Sequence, residues 1–340
     1  MATPALIKVA KLKHLVDEPS EERKVHHRSV PTIGGVIIFS AFMFSSFLWF
    51  PDDNIHARAD LQQIMCLMAS LILLFFVGVK DDIIGMSPMK KLLAHFMVGF
   101  ILCVMGNIRI SGFHGLLGLD VELPEYASYF ISIFVYIVIV NAINLIDGVD
   151  GLAAGVGLIS TVAFGLWFAF LGDKHWALMA FSLSGALLGF LVFNFNPAKI
   201  FMGDSGSLII GAVISVLALK LIETPVERIP AHFKDISTPV FAMTILAYPL
   251  VDTFRVFVIR AFQGRSPLSA DRNHLHHKLM NVGGNHKTTV FIIYIFSMIM
   301  IAQTVLFQFK NPNFSFLISI GFVLLFIAFV FLRLKLSNKK

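Results

Sequence analysis

Charge is scarce in this sequence. Asp, Glu, Lys and Arg make up 14% of the 340 residues, against about 25% in a soluble globular domain, too few to clothe a water-facing surface. Disorder is excluded from the other side, because 57% of the residues are apolar, 35 of them Phe, and a disordered chain lacks that excess. Cysteine is nearly absent. Cys66 and Cys103 each lie within an apolar run, which excludes a disulfide framework and a Cys-based metal site and leaves two small core residues. No cleavable secretory signal opens the chain, since the first 30 residues are basic and polar without an apolar core. Internal repeats, low-complexity tracts and a soluble-domain-sized hydrophilic segment are missing too.

What is there instead is a series of long apolar runs. A helix crossing the hydrocarbon layer needs about 20 mostly apolar residues, and ten runs approach that ruler: 33–50, 61–79, 90–106, 127–146, 151–171, 175–195, 206–222, 238–260, 289–309 and 313–332. Stretches such as Phe130 to Val140 are apolar on every side, without the alternation of a membrane β-strand. The expected fold is therefore all-α: a polytopic membrane protein of about ten transmembrane helices. It reads as one integral membrane domain over residues 1–340, with an N-terminal cytoplasmic segment 1–32, a helix bundle 33–332 and a cytoplasmic tail 333–340.

Lys and Arg orient it. If the chain crosses in alternation, the face away from the termini receives only Arg58, Arg109, Lys174, Arg228, Lys234 and Lys310, while Lys220 and Arg255 fall within spans. The rest of the 27 lie on the terminal face. The positive-inside rule puts that face in the cytoplasm. The net charge of +6 is thus an orientation signal and implies no nucleic acid. The segments 107–126 and 223–237 face outward and read as connectors.

The polar residues gather on the cytoplasmic side. Ionisable groups at membrane depth or span ends are costly, so their placement is a functional clue. Asp81 and Asp82 end the second span. Asn141, Asn144, Asp147 and Asp150 recur every three residues into a Gly-flanked turn, a slowly winding polar stripe suited to a donor-rich sugar or nucleobase. The plainer reading of that stripe is helix–helix hydrogen bonding by the Asn and solvated loop carboxylates. Asn194 and the segment Phe201 to Ser207 join the sixth and seventh spans, Asp252 and Arg255 sit at the inner end of the eighth, and Asp271 to His277 follow it.

Adjacent carboxylates repel and lose hydration at a membrane boundary, and a cation at Asp81 and Asp82 relieves both costs; a solvated helix end is the alternative. Asp204 stands in a Gly-rich turn before a span, where its carboxylate can hold Mg²⁺ while the helix N-terminus offers free N–H groups to a phosphate. A plain N-cap explains Asp204 but not Gly203 and Gly206. His274, His276 and His277 beside Arg272 form a dense set of donors that favours a phosphate or pyrophosphate. Zinc competes weakly, lacking a nearby Cys or an i,i+4 His pair with Glu. His26, His27 and Arg28 add positive charge on the same face, and Gly34-Gly35 allow close helix approach. Acids for a divalent cation with bases for an anion match a nucleoside diphosphate compound with Mg²⁺.

Val30-Pro31-Thr32-Ile33-Gly34-Gly35, Asp81-Asp82, Asn141 to Leu152 (NAINLIDGVDGL), Phe201 to Leu208 (FMGDSGSL) and Asp271 to His277 (DRNHLHH) together resemble the polyprenyl-phosphate N-acetylhexosamine-1-phosphate transferases. The resemblance runs from about Leu15 to about Leu279 in order and spacing. The peptidoglycan branch typically has three consecutive His in the late loop. The Asp-Arg-x-His-Leu-His-His form here resembles instead the WecA/TagO-like branch, which implies transfer of GlcNAc-1-phosphate from UDP-GlcNAc to undecaprenyl phosphate at the start of O-antigen, enterobacterial common antigen or teichoic-acid synthesis. Members of that branch usually begin with a further transmembrane helix, of which Ala2 to Ala10 resembles only the end.

The resemblance implies a site on the cytoplasmic face of the bacterial inner (plasma) membrane, where the lipid phosphate oxygen attacks the sugar-linked phosphorus of the UDP-sugar and UMP leaves. Asp204 is the expected principal Mg²⁺ ligand, with Mn²⁺ as the alternative ion, and Asp81 or Asp82 the second ligand or the group that orients or deprotonates the lipid phosphate. Asn144, Asp147 and Asp150 are expected to bind the nucleotide-sugar or catalyse, with Asn141 on the same stripe. Arg272, His274, His276 and His277 are expected to hold the diphosphate; Arg28, Asn194 and Phe201 join by position. A homodimer follows by family analogy alone. A secondary transporter is the competing reading, but it predicts mid-span charges and two symmetric halves. A scaffold whose loops bind a partner has no reason to carry acids in four loops.

Overall fold

The computed structural model describes residues 2–13, 16–17, 30–51, 58–264, 274–281 and 285–337. Each of the ten apolar runs folds as helix. In chain order the elements are α1 (Ala2–Leu12), a two-residue antiparallel ladder of β1 (Val16–Asp17) and β2 (Val30–Pro31), α2 (Gly34–Leu48), α3 (Arg58–Ile84), α4 (Pro88–Phe100, extended by a π-turn Ile101–Met105), α5 (Glu125–Leu145), α6 (Leu152–Phe170), α7 (Lys174–Asn194), α8 (Asp204–Ile222), α9 (Thr238–Ile245), α10 (Ala247–Phe262), α11 (Leu275–Asn281), α12 (His286–Leu306) and α13 (Pro312–Ser337). Among the described residues eight helices are long and apolar enough to cross a membrane, nine if the bent pair α9–α10 is one span. α2 is a shorter apolar helix. The protein is an all-α polytopic membrane protein.

The run 238–260 reads as one span in sequence, yet the chain turns by 79° between α9 and α10. Pro249 is the cause: it has no N–H to donate to Ile245, four residues earlier, and its ring crowds that carbonyl. The freed Ile245 carbonyl accepts instead from Ser160 Oγ of α6, at 3.2 Å.

α8 is the central helix. It is apolar on all sides and buried almost throughout, packing on α2, α3, α5, α6, α7 and α9. Lipid gives apolar helices no hydrophobic reason to associate, so close packing through small residues has to hold them. A Cβ on Gly35 of α2 or on Gly78 of α3 would overlap the backbone at Ser205 and Gly206, and one on Gly211 would come within 2.8 Å of Val140 Cα of α5. The expected close approach at Gly34-Gly35 is thereby realised, with Gly34 N donating to Phe201 O and Gly35 N to Met202 O, both at 2.9 Å.

Charges inside the spans are provided for. Lys220 near the end of α8 donates to Asp60 at 3.3 Å and Gln63 at 2.9 Å and lies over the Trp176 ring; Arg255 lies over Phe331. At the same end of the bundle Glu223 accepts from Ser111 N at 2.8 Å and Ser111 Oγ at 2.6 Å, pinning the connector after α4 to the end of α8. Burial by itself would raise the Glu223 carboxyl, but these bonds and the neighbouring His114 outweigh it and leave it below the usual glutamate range.

Replacing Gly78 with Ala should force α3 from α8 and cost about 1–3 kcal/mol. Gly185→Ala, where a Cβ meets nothing within 4 Å, gains the same helix propensity without the overlap. Thermal unfolding in detergent should therefore show a lower Tm for Gly78→Ala and an unchanged or higher one for Gly185→Ala.

Candidate active site

The acids of three separate segments meet at the end of the bundle where α8 begins. A cavity of about 450 Å³ is lined by Asp81 and Asp82 from the last turn of α3, Asn144 from the end of α5, Asp147, Gly148 and Asp150 from the α5–α6 turn, Asn194 from the end of α7, and Phe201, Gly203 and Asp204. Gly203 holds the corner with φ +70°, and any Cβ there would collide with the Thr32 carbonyl and the Asp82 carboxylate.

The two adjacent aspartates have different partners. Asp82 accepts from Asp204 N at 2.7 Å and Ser205 N at 3.1 Å, so a carboxylate of α3 caps the N-terminus of α8. The next two N–H groups, of Gly206 and Ser207, go to Gly203 O. This corrects the expectation of free N–H groups for a phosphate at that terminus: the protein supplies its own anion, as the helix dipole favours. Asp81 instead turns to Lys91. Its Oδ2 and the Oδ2 of Asp204 each lie 2.7 Å from Lys91 Nζ, in the first turn of α4. Asn144 Nδ2 donates to the other Asp204 oxygen at 3.1 Å and to Ser207 Oγ at 2.8 Å.

Some expected ligand residues act as braces. Asp150 is buried, and its Oδ2 accepts from Asn196 Nδ2 at 2.9 Å and Ala198 N at 3.0 Å, fixing the loop before Phe201. Asn194 donates to Ile200 O and accepts from Gly151 N. Asp147 differs. Its carboxylate has no hydrogen-bond or ion-pair partner among the described residues, and part of it opens to the cavity. Loss of hydration pushes its carboxyl well above the usual range, and the charges of Asp204, Asp82 and Asp150 push it further.

The polar stripe divides. Asn141 donates to Ile137 O within its own helix, at 2.8 Å, and lines a second cavity. That groove, of about 500 Å³, runs between α4, α5 and α10 with apolar walls from Leu92, Phe134, Ile137, Val138 and Phe257. Its polar end carries Lys91, Arg260, His274, His276 and His277. Gly148 lines both cavities and is the seam between them.

His274 and His276 are oriented by Asp252 of α10, whose Oδ2 lies 3.1 Å from Nδ1 of each. These three donors are within 4.8 Å of one another, close enough for one ion, but their separations are hydrogen-bond lengths and the carboxylate is already engaged. The structure thus brings together Asp81, Asp82, Asn144, Asp147, Asp150, Asn194, Phe201 and Asp204, and beside them Asn141, His274, His276 and His277. Arg28 and Arg272 lie outside the described residues. Lys91 and Arg260 were not singled out as site residues from sequence. The signal for Lys91 was the short α3–α4 turn at Gly85, which folds the start of α4 back against Asp81; for Arg260, it was a guanidinium on the inner end of a span, which is costly without a role.

A sequence model of glycosyl transferase family 4 matches residues 64–222. The chain is 31% identical over 338 residues, 98% of its length and 86% of the relative's, to a Bacillus subtilis (strain 168) protein named "Probable undecaprenyl-phosphate N-acetylglucosaminyl 1-phosphate transferase". It is 31% identical to the decaprenyl-phosphate N-acetylglucosaminephosphotransferase of Mycolicibacterium smegmatis, over 81% of this chain and 71% of that one. It is 28% identical to the undecaprenyl-phosphate alpha-N-acetylglucosaminyl 1-phosphate transferase of Escherichia coli O157:H7, over 95% of this chain and 84% of that one.

Two stability experiments separate the acids. Asp82→Ala strips α8 of its cap and should cost about 0.5–2 kcal/mol, read as a lower Tm, whereas Asp81→Ala removes no cap and should change Tm less. Asp147→Asn, compared with wild type in chelator, should raise Tm at neutral pH. The sign follows from its raised carboxyl: wild type loses stability as pH rises above the ordinary aspartate range toward the raised value, so the difference should vanish as pH falls and both side chains are neutral.

The clamp of α3 on α8, the acid cavity and the groove beside it thus belong to a chain that is a member of glycosyl transferase family 4, among the polyprenyl-phosphate N-acetylhexosamine-1-phosphate transferases.

Proposed function

We propose that the protein transfers N-acetylhexosamine-1-phosphate, specifically GlcNAc-1-phosphate, from its UDP-sugar to undecaprenyl phosphate, releasing UMP, at the cytoplasmic face of the inner membrane. The observation that carries this reading is the pair of cavities meeting at Gly148. A groove with apolar walls and a cationic end suits a lipid phosphate, and a carboxylate-lined pocket suits a cation and a polar nucleotide-sugar. The names of the relatives supply the sugar and the prenyl carrier, and the excess of Lys and Arg on the terminal side supports the orientation.

The acceptor needs little activation, because a phosphate monoester with a second pKa near 6 is largely dianionic at neutral pH. Its oxygen attacks the sugar-linked phosphorus; the bond from that phosphorus to the UMP oxygen breaks, and the electron pair leaves with UMP. Two anions must meet, so positioning and charge neutralisation supply most of the rate. Lys91, Arg260 and the three histidines line the end of the groove that would receive the lipid phosphate. Asn144 and Asp147 face the nucleotide-sugar, with Asp150 and Asn194 bracing the wall behind.

The donors fit Mg²⁺, or Mn²⁺: hard carboxylate oxygens at a cavity wall. Asp204 and Asp81 would hold it, since both already converge on one cationic group, Lys91 Nζ. Asp82 is less suited, as its oxygens are committed to backbone N–H groups. Bound there, the ion would offset charge on the diphosphate.

Membranes containing the protein, given Mg²⁺, undecaprenyl phosphate and a panel of UDP-sugars, should release UMP with UDP-GlcNAc fastest. No UMP from any sugar sinks the reading, and faster release with another UDP-sugar sinks the GlcNAc assignment. Asp204→Ala should lose nearly all transfer while keeping its elution profile in detergent; wild-type turnover at saturating Mg²⁺ would refute its role at the metal.

A further inference from the structure

Asp252 is fully buried where α10 supports α11, and its two oxygens are used separately. Oδ1 accepts from Leu275 N, at the start of α11, at 2.7 Å. Oδ2 lies 3.1 Å from Nδ1 of His274 and 3.1 Å from Nδ1 of His276. The two rings stack at 5.2 Å and 18°, and the Tyr248 hydroxyl sits 3.3 Å from the same His276 nitrogen. A carboxylate brings only lone pairs, so each Nδ1 has to bring the proton. The bond at one ring nitrogen decides the role of the other. Nε2 of each ring is therefore the working nitrogen. For His276 its place is known: a Cβ on Gly148, the residue shared by groove and acid pocket, would stand 3.5 Å from His276 Nε2.

We propose that Asp252 is a positioning residue for the transfer, holding His274 and His276 as Nδ1–H rings so that His276 Nε2 is aimed at the seam where the phosphates of the two substrates meet. This rests on the transfer reading above and adds to it a residue that touches neither substrate. Asp252 reaches the chemistry through the rings, and through Leu275 N it also fixes the segment that carries them. Asp252→Asn keeps the shape and reverses the polarity. Its carbonyl must face Leu275 N–H, which turns its amide N–H groups toward both Nδ1 atoms and requires them to be proton-free.

The test reads the rings and the rate separately. ¹⁵N-histidine-labelled protein in detergent should show Nδ1–H signals for two rings in wild type, one of them assigned by its loss in His276→Gln, and Nε2–H signals in Asp252→Asn. UMP release by Asp252→Asn should fall about 10- to 100-fold in kcat, with KM for the UDP-sugar within about twofold of wild type. Because the two residues act as a unit, Asp252→Asn with His276→Gln should be no slower than the slower single variant. Proton-free Nδ1 atoms in wild type overturn the proposal even if Asp252→Asn does not fold. So does an unchanged kcat in Asp252→Asn, or a double variant slowed by the product of the two single effects. Wild-type protein that releases no UMP overturns the transfer reading alone, and the ring signals still decide what Asp252 does.

Discussion

α8 starts inside the protein, and a helix can begin there only if something accepts its first N–H groups. Asp82 does this from the last turn of α3, taking the amides of Asp204 and Ser205. The bonds are charge-assisted and lie at the positive end of the helix dipole, so they are strong ones. They also require α3 and α8 to touch, which Gly78 permits and any larger residue obstructs. The neighbouring geometry follows. With the two helix ends clamped, the next carboxylate back along α3, Asp81, and the first side chain of α8, Asp204, come within reach of a single ammonium, Lys91. Asp82 builds the site and the other two furnish it.

The second organising feature is the meeting of two differently lined cavities at Gly148. Acids line one cavity, and Lys91, Arg260 and three histidines stand at the end of the other. A transferase joining a water-soluble donor to a lipid acceptor has to bring together two phosphates that repel and two bodies that differ in solubility. The two cavities differ in the same respects, one with apolar walls beside Lys91 and Arg260, the other lined by carboxylates. The break at Pro249 contributes, because it sets α10 at 79° to α9 and α10 carries both Arg260 and the carboxylate that orients His274 and His276.

The helices were legible in the sequence because the ruler is physical: about 20 apolar residues span the hydrocarbon layer, and all ten runs fold as helix. The bend was masked because 238–260 is long and apolar enough as a whole to read as one span, although Pro249 marks the place. The gathering of Asp81, Asp82, Asn144, Asp147 and Asp204 was legible because charge at span ends is expensive. Their division of labour was not. Adjacent residues on a helix point about 100° apart, and what each meets is decided by elements distant in sequence: for Asp82 the amides of α8, for Asp81 the ammonium of α4. Asn141 fits the stripe by spacing but falls on the groove side of the seam. Asp252 was visible as a charge in a span, yet its partners lie beyond a loop, and spacing alone could not pair them.

One carboxylate of the site differs from the others in its partners. Asp82 is satisfied by backbone amides, Asp150 by Asn196 and Ala198, and Asp81 and Asp204 share Lys91. Asp147 has no such partner among the described residues, opens to the cavity and is surrounded by other acids. A protein selected for stability alone would not hold a carboxylate in that position, because burial and repulsion both oppose its charge. An arrangement that is costly in the protein by itself becomes less so once a positive or hydrogen-bond-donating group stands beside it, and the side of Asp147 that opens to the cavity is where such a group can enter.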